Sequence, residues 1–374
     1  MLLHLLKKFI WRSSLVAVLL VGGWVSAQAA TETTAPIMRQ HASILMYHHV
    51  SERTPPSTST SPDLLRQHLD LLEQEGFQVW PLERIVRHLQ RRQPLPDKIA
   101  ALTFDDGFIS VYEAALPLLQ ERQLPFTIFV NANSVNGKHP LYMTWAQLQE
   151  AQQAGASIAN HGLTHNHMIR KQEDETDAAW LARISHEIDA NQAEIQRHLG
   201  SAPKILAYPY GEYNPEILRL VRQKGYVAFG QQSGPASFYM NLTALPRYAA
   251  AGTSAEVSSL RTKLLALPFP LVSEEPASPV LDGSERRPSL QLVMQAGDYR
   301  LNQLRCYGPD AQLLDVTTKQ LPDTNWQIEV NSSKDLPAGR PRYNCTAPHT
   351  SENRYFWFTR QWLMPHADGS WYNF

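Results

Sequence analysis

Cysteine is scarce: 374 residues contain two, Cys306 and Cys345. That excludes a cysteine-rich zinc module and a disulfide-dense mini-scaffold. Neither sign of charge dominates, because 34 Lys and Arg face 35 Asp and Glu, for a formal net charge of −1. Without a basic surplus, the electrostatic footprint of a nucleic-acid binder is missing. No glycine-rich phosphate loop of the Rossmann or Walker type occurs, which argues against nucleotide binding. No segment beyond the first thirty residues is long and apolar enough to cross a bilayer. No internal repeat is visible. What remains is a chain with 43% apolar and 18% charged residues. It is long enough for two domains and too apolar for wholesale disorder.

The first residues follow a secretory grammar. Lys7, Lys8 and Arg12 form a positive region, residues 13–25 an apolar core, and Ala27-Gln28-Ala29 a small-residue cleavage site. Residues 1–29 are therefore expected to be a signal peptide. A membrane anchor fits less well, since the apolar core is shorter than the ~20 residues a span needs. No cysteine follows the core to carry a lipid. Removing the three cations leaves 31 basic against 35 acidic residues, or −4. The mature chain is expected to be exported, periplasmic or secreted, with no stable membrane span. In an oxidising compartment Cys306 and Cys345 can pair; two buried free thiols are the other reading.

The body alternates apolar strands with helical patterns. Strand candidates lie at 44–47, 77–80, 99–104, 126–130, 157–160, 205–208 and 227–229. Between them run helical stripes such as Leu65, Leu69 and Leu72, or Leu181, Ile184, Ile188 and Ile195. Gly76, Gly155, Gly200 and Gly225 mark helix ends. Repeated strand–helix units imply a parallel sheet covered by helices. About seven units suit a distorted (β/α) barrel better than a doubly wound open sheet. Residues 30–267 are read as this α/β domain and 268–288, rich in Pro, Ser and acidic residues, as a linker. Residues 289–374, with short alternating runs, are read as a small C-terminal β domain.

Four motifs follow predicted strands, so in a barrel they share one face. The first is Thr103-Phe104-Asp105-Asp106-Gly107. Adjacent carboxylates there are costly unless a metal or proton separates their roles. Alone, the pair also fits an exposed Asp-Gly turn. The second is Asn160-His161-Gly162-Leu163-Thr164-His165, whose histidines would share one face of a helical turn and one metal. With 14 histidines in the chain, chance is not negligible. His167, close by, is read as a surface residue or at most a substrate contact. The third is Ala207-Tyr208-Pro209-Tyr210-Gly211, whose Tyr210 amide can stabilise an oxyanion; taken alone, an ordinary aromatic turn explains it better. The fourth is Met46-Tyr47-His48-His49-Val50, offering a general acid or a core histidine. Together, Asp and two His leave an open coordination position, as catalytic metal sites do. Zinc suits mixed imidazole and carboxylate ligands first; nickel, cobalt and iron accept them too.

These strings, in this order, resemble the polysaccharide deacetylase (NodB-homology) family of carbohydrate esterases, over roughly residues 43–252. The Met46-Tyr47-His48 string resembles the N-terminally rearranged subgroup that includes exopolysaccharide, poly-N-acetylglucosamine, deacetylases. The resemblance implies Asp105 as base, Asp106, His161 and His165 as ligands of a divalent metal, Tyr210 as oxyanion donor and His48 as acid. Three features depart from the family. Gly162 stands where Ser or Thr is usual, and no late Leu-x-x-His string precedes residue 268. Ala207 replaces the arginine that orients the base. Arg247 is a possible substitute, although a structural ion pair explains it as well.

The implied activity is metal-assisted hydrolysis of N-acetyl groups on an acetylated amino-sugar polysaccharide of the cell envelope. The alternatives are a peptidoglycan deacetylase, an O-acetyl esterase on another polysaccharide, or a non-catalytic carbohydrate-binding relative. Tyr47, Tyr142, Trp145, Tyr208, Tyr210 and Tyr213 are candidate sugar platforms, of which only Tyr210 is favoured over simple packing. Trp357, Trp362 and Trp371 are read mainly as core of the β domain. Oligomeric state has no signal in the sequence.

Overall fold

The structure is a computed structural model that describes residues 37–373. The expected signal peptide lies outside the described residues. The central sheet runs in the order Val227–Phe229, Ile205–Ala207, Ala156–Asn160, Phe126–Val130, Ile99–Phe104, His41–Tyr47, all parallel. Tyr248–Ala249 pairs in parallel with Leu45 and Met46, and Leu245 bridges Phe229 at the opposite edge. Segment 245–249 therefore spans the interval between the two edge strands, and these seven parallel strands, with Gln78–Val79 and Ala236–Ser237 added to the same sheet, curl into the expected (β/α) barrel.

Alternation along each strand builds two cores. Leu102, Phe104, Ile128, Val130 and Ile158 face a cluster shared with the helices Pro62–Gln74, Leu116–Glu121 and Trp145–Gln153. Their neighbours Ala101, Phe129, Ala159, Ala207 and Phe229 form a second cluster, joined by Ile85, Val86 and Leu89 of the helix Leu82–Gln90. Polar side chains start the other helices where the sequence supplies them. Thr144 and Gln147 form a reciprocal capping box, and Thr176 and Asn214 cap Asp177–Leu199 and Pro215–Gln223. Gly200 ends the long helix in the left-handed conformation, where a side chain would be strained.

The C-terminal part is two four-stranded sheets around one core. One has the order Leu267–Pro268, Tyr355–Gln361, Arg342–Pro348, Arg305–Tyr307. The other has Leu271–Glu275, Leu290–Met294, Trp326–Asn331, Asp315–Gln320. Leu290, Leu292, Ile328 and Val330 meet Tyr343, Phe356 and Phe358 between them. The stretch 268–288 is thus more than a linker. Leu271–Glu275 pairs antiparallel with Leu290–Met294, and Leu267–Pro268 pairs with Phe356 and Trp357. Its mostly exposed face and its prolines hid the pairing. Cys306 and Cys345 are register partners joined by a disulfide, closing 39 residues, which is worth ~3–4 kcal/mol. Trp362 is fully buried in this core, and Trp357 packs against the barrel. Among the described residues, no helix is long and apolar enough to cross a membrane.

Candidate metal and acid–base site

The Ile99–Phe104 strand delivers both aspartates. The Asp105 amide donates to the Tyr47 carbonyl, extending the parallel pairing by one residue. Asp106 and Gly107 then both adopt left-handed backbone, with φ of 71° and 68°. This reversal sends the two carboxylates to different partners. A Cβ on Gly107 would also press to 3.0 Å from Val130 Cγ1, so the turn excludes a larger residue.

Asp106 faces the two histidines. Its Oδ1 lies 3.3 Å from His161 Nε2 and 3.1 Å from His165 Nε2. The ligand atoms of Asp106, His161 and His165 all lie within 4.8 Å of one another. The two histidines do not sit on a helical turn as expected. Gly162 and His165 both have positive φ, 75° and 57°, and the segment is an irregular loop that brings both rings inward. Asn160 accepts from the Gly162 amide, while Glu187 accepts from the Thr164 amide and hydroxyl, and these bonds hold the loop.

The donor set fits a cation. His161 Nδ1 is 2.8 Å from the Ala207 carbonyl, which can only accept, so in the neutral imidazole Nδ1 carries the proton and Nε2 presents a lone pair. That lone pair faces the Asp106 carboxylate. Both Asp106 Oδ1 and His161 Nε2 are buried without a hydrogen-bond partner. Two buried acceptors in apposition want a positive charge between them. Asp106, His161 and His165 supply ligands suited to a divalent ion with an open position.

Asp105 goes the other way. It is fully buried, and Arg247 Nη1 and Nη2 donate to its two oxygens at 2.7 Å each. Burial alone would raise its pKa; the Arg247 guanidinium, helped by His161 and His48, holds it below the ordinary carboxylate value instead. Ala207 therefore leaves no gap: the arginine comes from segment 245–249. His48 Nε2 lies 3.9 Å from Asp105 Oδ2, and burial pushes its pKa down. His49 points elsewhere and stacks on Phe108 at 3.6 Å.

Tyr210 joins the site from the strand end at Ala207. Its ring lies flat on His167 at 3.8 Å and against His165 at 4.6 Å. Its backbone is left-handed, with φ of 59°. Gly211 follows in the same region, where a Cβ would strike Gln231 at 2.6 Å. His167 is not merely a surface residue, since its Nδ1 lies 2.7 Å from Glu212 Oε2. Tyr47 and Tyr208 are fully buried and Tyr213 nearly so, so these three are packing residues. Trp145 stacks on His198 at 4.2 Å, and Tyr142 on Phe108 at 5.2 Å. Glu187 escaped sequence reasoning. Its signal was a charge inside the apolar stripe of Ile184 and Ile188.

Comparison with known proteins agrees with this fold. Residues 92–229 match the family model described as polysaccharide deacetylase. YxkH of Bacillus subtilis is 28% identical over 208 residues, which is 54% of this chain and 69% of that protein. The poly-beta-1,6-N-acetyl-D-glucosamine N-deacetylase of Escherichia coli K12 is 23% identical over 239 residues. That match covers 54% of this chain but only 35% of the relative. The solved structure of IcaB from Ammonifex degensii aligns with a TM-score of 0.53 and 25% identity, covering 61% of this chain and 98% of that one. Over residues 92–229, within the barrel that His41–Tyr47 and Tyr248–Ala249 complete, this chain matches the polysaccharide deacetylase family.

Proposed function

We propose that this chain is an exported, metal-dependent hydrolase that removes N-acetyl groups from a poly-N-acetylglucosamine-like polysaccharide. The observation that carries the reading is the apposition of two buried, unpartnered acceptor atoms, Asp106 Oδ1 and His161 Nε2, with His165 beside them. The amino-sugar substrate is supported by the similarity to the Escherichia coli poly-beta-1,6-N-acetyl-D-glucosamine N-deacetylase. Export is supported by the sequence of residues 1–29.

Asp106, His161 and His165 would hold the divalent ion, zinc first by ligand type, with nickel, cobalt or iron as alternatives. Bound there, such an ion supplies Lewis acidity and brings the pKa of water toward ~7. Asp105, kept ionised and oriented by Arg247, takes the proton of the water that attacks the acetyl carbon. The Tyr210 amide donates to the oxygen on which negative charge develops. His48 delivers a proton to the departing sugar nitrogen and is reprotonated from solvent, to which Asp105 returns the proton it took from water. One water is consumed, the C–N bond breaks, and acetate and a free amine leave. Proton transfer by a positioned group typically contributes ~10²–10⁴-fold.

The test is acetate release from poly-N-acetylglucosamine oligomers, peptidoglycan and O-acetylated polysaccharide, each with defined metals. Release from the first supports the reading. Release only from peptidoglycan or an O-acetylated polymer moves the substrate while keeping the chemistry. Binding without release from any of them contradicts an enzyme.

A further inference from the structure

The loop that carries Tyr210 is in an expensive conformation. Tyr210 and Gly211 are consecutive left-handed residues, and left-handed backbone at a non-glycine residue persists only where the surroundings enforce it. Within the barrel, the Gly211 amide donates to the Tyr208 carbonyl. Other restraints come from the C-terminal β-sandwich. Arg340 Nη1 donates to the Tyr210 carbonyl and, at 3.1 Å, to Gln231 Oε1. Gln361, itself buried, donates to the Gly211 carbonyl at 3.4 Å. The Tyr372 hydroxyl donates to Glu212 Oε1 at 2.8 Å, while His167 holds the other oxygen of that fully buried carboxylate. Three successive residues, 210, 211 and 212, are thus each held by a residue 130 or more positions away in sequence.

We infer that the C-terminal β-sandwich is a positioning element for the deacetylase site, with Arg340 as its principal positioning residue and Tyr372 as its second. This deepens the proposed function and rests on its assignment of the Tyr210 amide to the oxyanion. The bond to the Tyr210 carbonyl holds the peptide unit that joins Tyr210 to Gly211. Anchoring Glu212 fixes the far end of the turn. Together they restrain, from its C-terminal side, the left-handed turn that presents the Tyr210 amide. A domain placed only to bind polymer would have no need of these contacts. The sandwich is therefore a part of the site's geometry.

Arg340→Gln in the full chain is expected to lower kcat for acetate release about 10- to 100-fold, as small misplacements of reacting groups do. KM, bound metal and melting temperature stay near wild type. Arg340→Lys, which keeps a cationic donor, restores part of the loss. Tyr372→Phe removes the hydroxyl that bonds Glu212 while keeping the ring, and lowers kcat in the same direction. Amide hydrogen exchange over 208–213 needs no substrate. It should quicken in both Arg340→Gln and Tyr372→Phe while exchange over 99–104 stays unchanged. Wild-type kcat in Arg340→Gln, or unaltered exchange over 208–213, overturns the inference. If the unaltered chain releases no acetate but the exchange responds, the bracing stands and the proposed reaction falls.

Discussion

The two terminal nitrogens of Arg247 each lie 2.7 Å from one oxygen of Asp105, across 142 positions of sequence. Both side chains are fully buried. Arg247 Nε also donates to the Gly230 carbonyl at 3.1 Å, and Nη1 to Thr103 Oγ1 at 3.2 Å. The fork geometry is one that arginine alone supplies. The pair therefore fixes a carboxylate in direction as well as in charge, and it joins the last segment of the barrel to its centre.

Arg247→Met would leave the Asp105 charge buried without a counter-ion. The expected cost is ~3–5 kcal/mol, read from the denaturant midpoint. Arg247→Lys should cost less stability and still lose most activity, because an ammonium cannot engage both oxygens at once. Equal activity in the lysine variant would show that orientation of Asp105 does not matter.

Gly162→Ala tests the loop between the ligands. At φ of 75° the new Cβ would also meet Met168 Cε at 3.0 Å and Pro209 Cγ at 3.5 Å. A loss of roughly 1–2 kcal/mol is expected from the left-handed backbone alone. Thermal unfolding measures it, and a variant as stable as wild type would mean that this backbone relaxes freely.

Asp97 gives a pH-dependent contact between barrel and sandwich. Arg354, on the sandwich, donates to it at 2.7 Å, with Arg39 at 3.7 Å. Burial would raise its pKa, but Arg354 and Arg39 carry it below the ordinary value. A carboxyl whose pKa is lowered on folding stabilises above its unfolded pKa, about 4, and the benefit disappears as pH falls through the folded value. Asp97→Asn should therefore be less stable than wild type at pH 7, with the gap closing below about pH 4. Melting temperatures between those limits decide it, and a gap independent of pH would remove the ion pair as the cause.

The barrel strands were legible because 99–104, 126–130 and 227–229 are apolar runs interrupted only by Thr103 and Thr127, as strands covered on both faces tend to be. The sandwich was less so. Leu271–Glu275 is mostly exposed, and Asp315–Gln320 is polar on both faces, so neither carries a period of two. Asp106, His161 and His165 stood out because their types and order mark them. The shape of their loop did not, since it depends on left-handed residues that a spacing rule cannot see. Arg247 was visible as a candidate, but its partner is set by segment 245–249 bridging two strands. Arg340 and Tyr372 gave no signal, because what they hold is backbone brought to them by the tertiary fold.

The most direct measurement is metal content after purification and reloading with zinc, in wild type, Asp105→Asn and Asp106→Ala. The account predicts one ion per chain in wild type and in Asp105→Asn, with acetate release surviving only in wild type. Asp106→Ala should lose both the ion and the activity. A wild-type chain that binds no divalent ion, or an Asp106→Ala variant that binds it as tightly, would contradict the account.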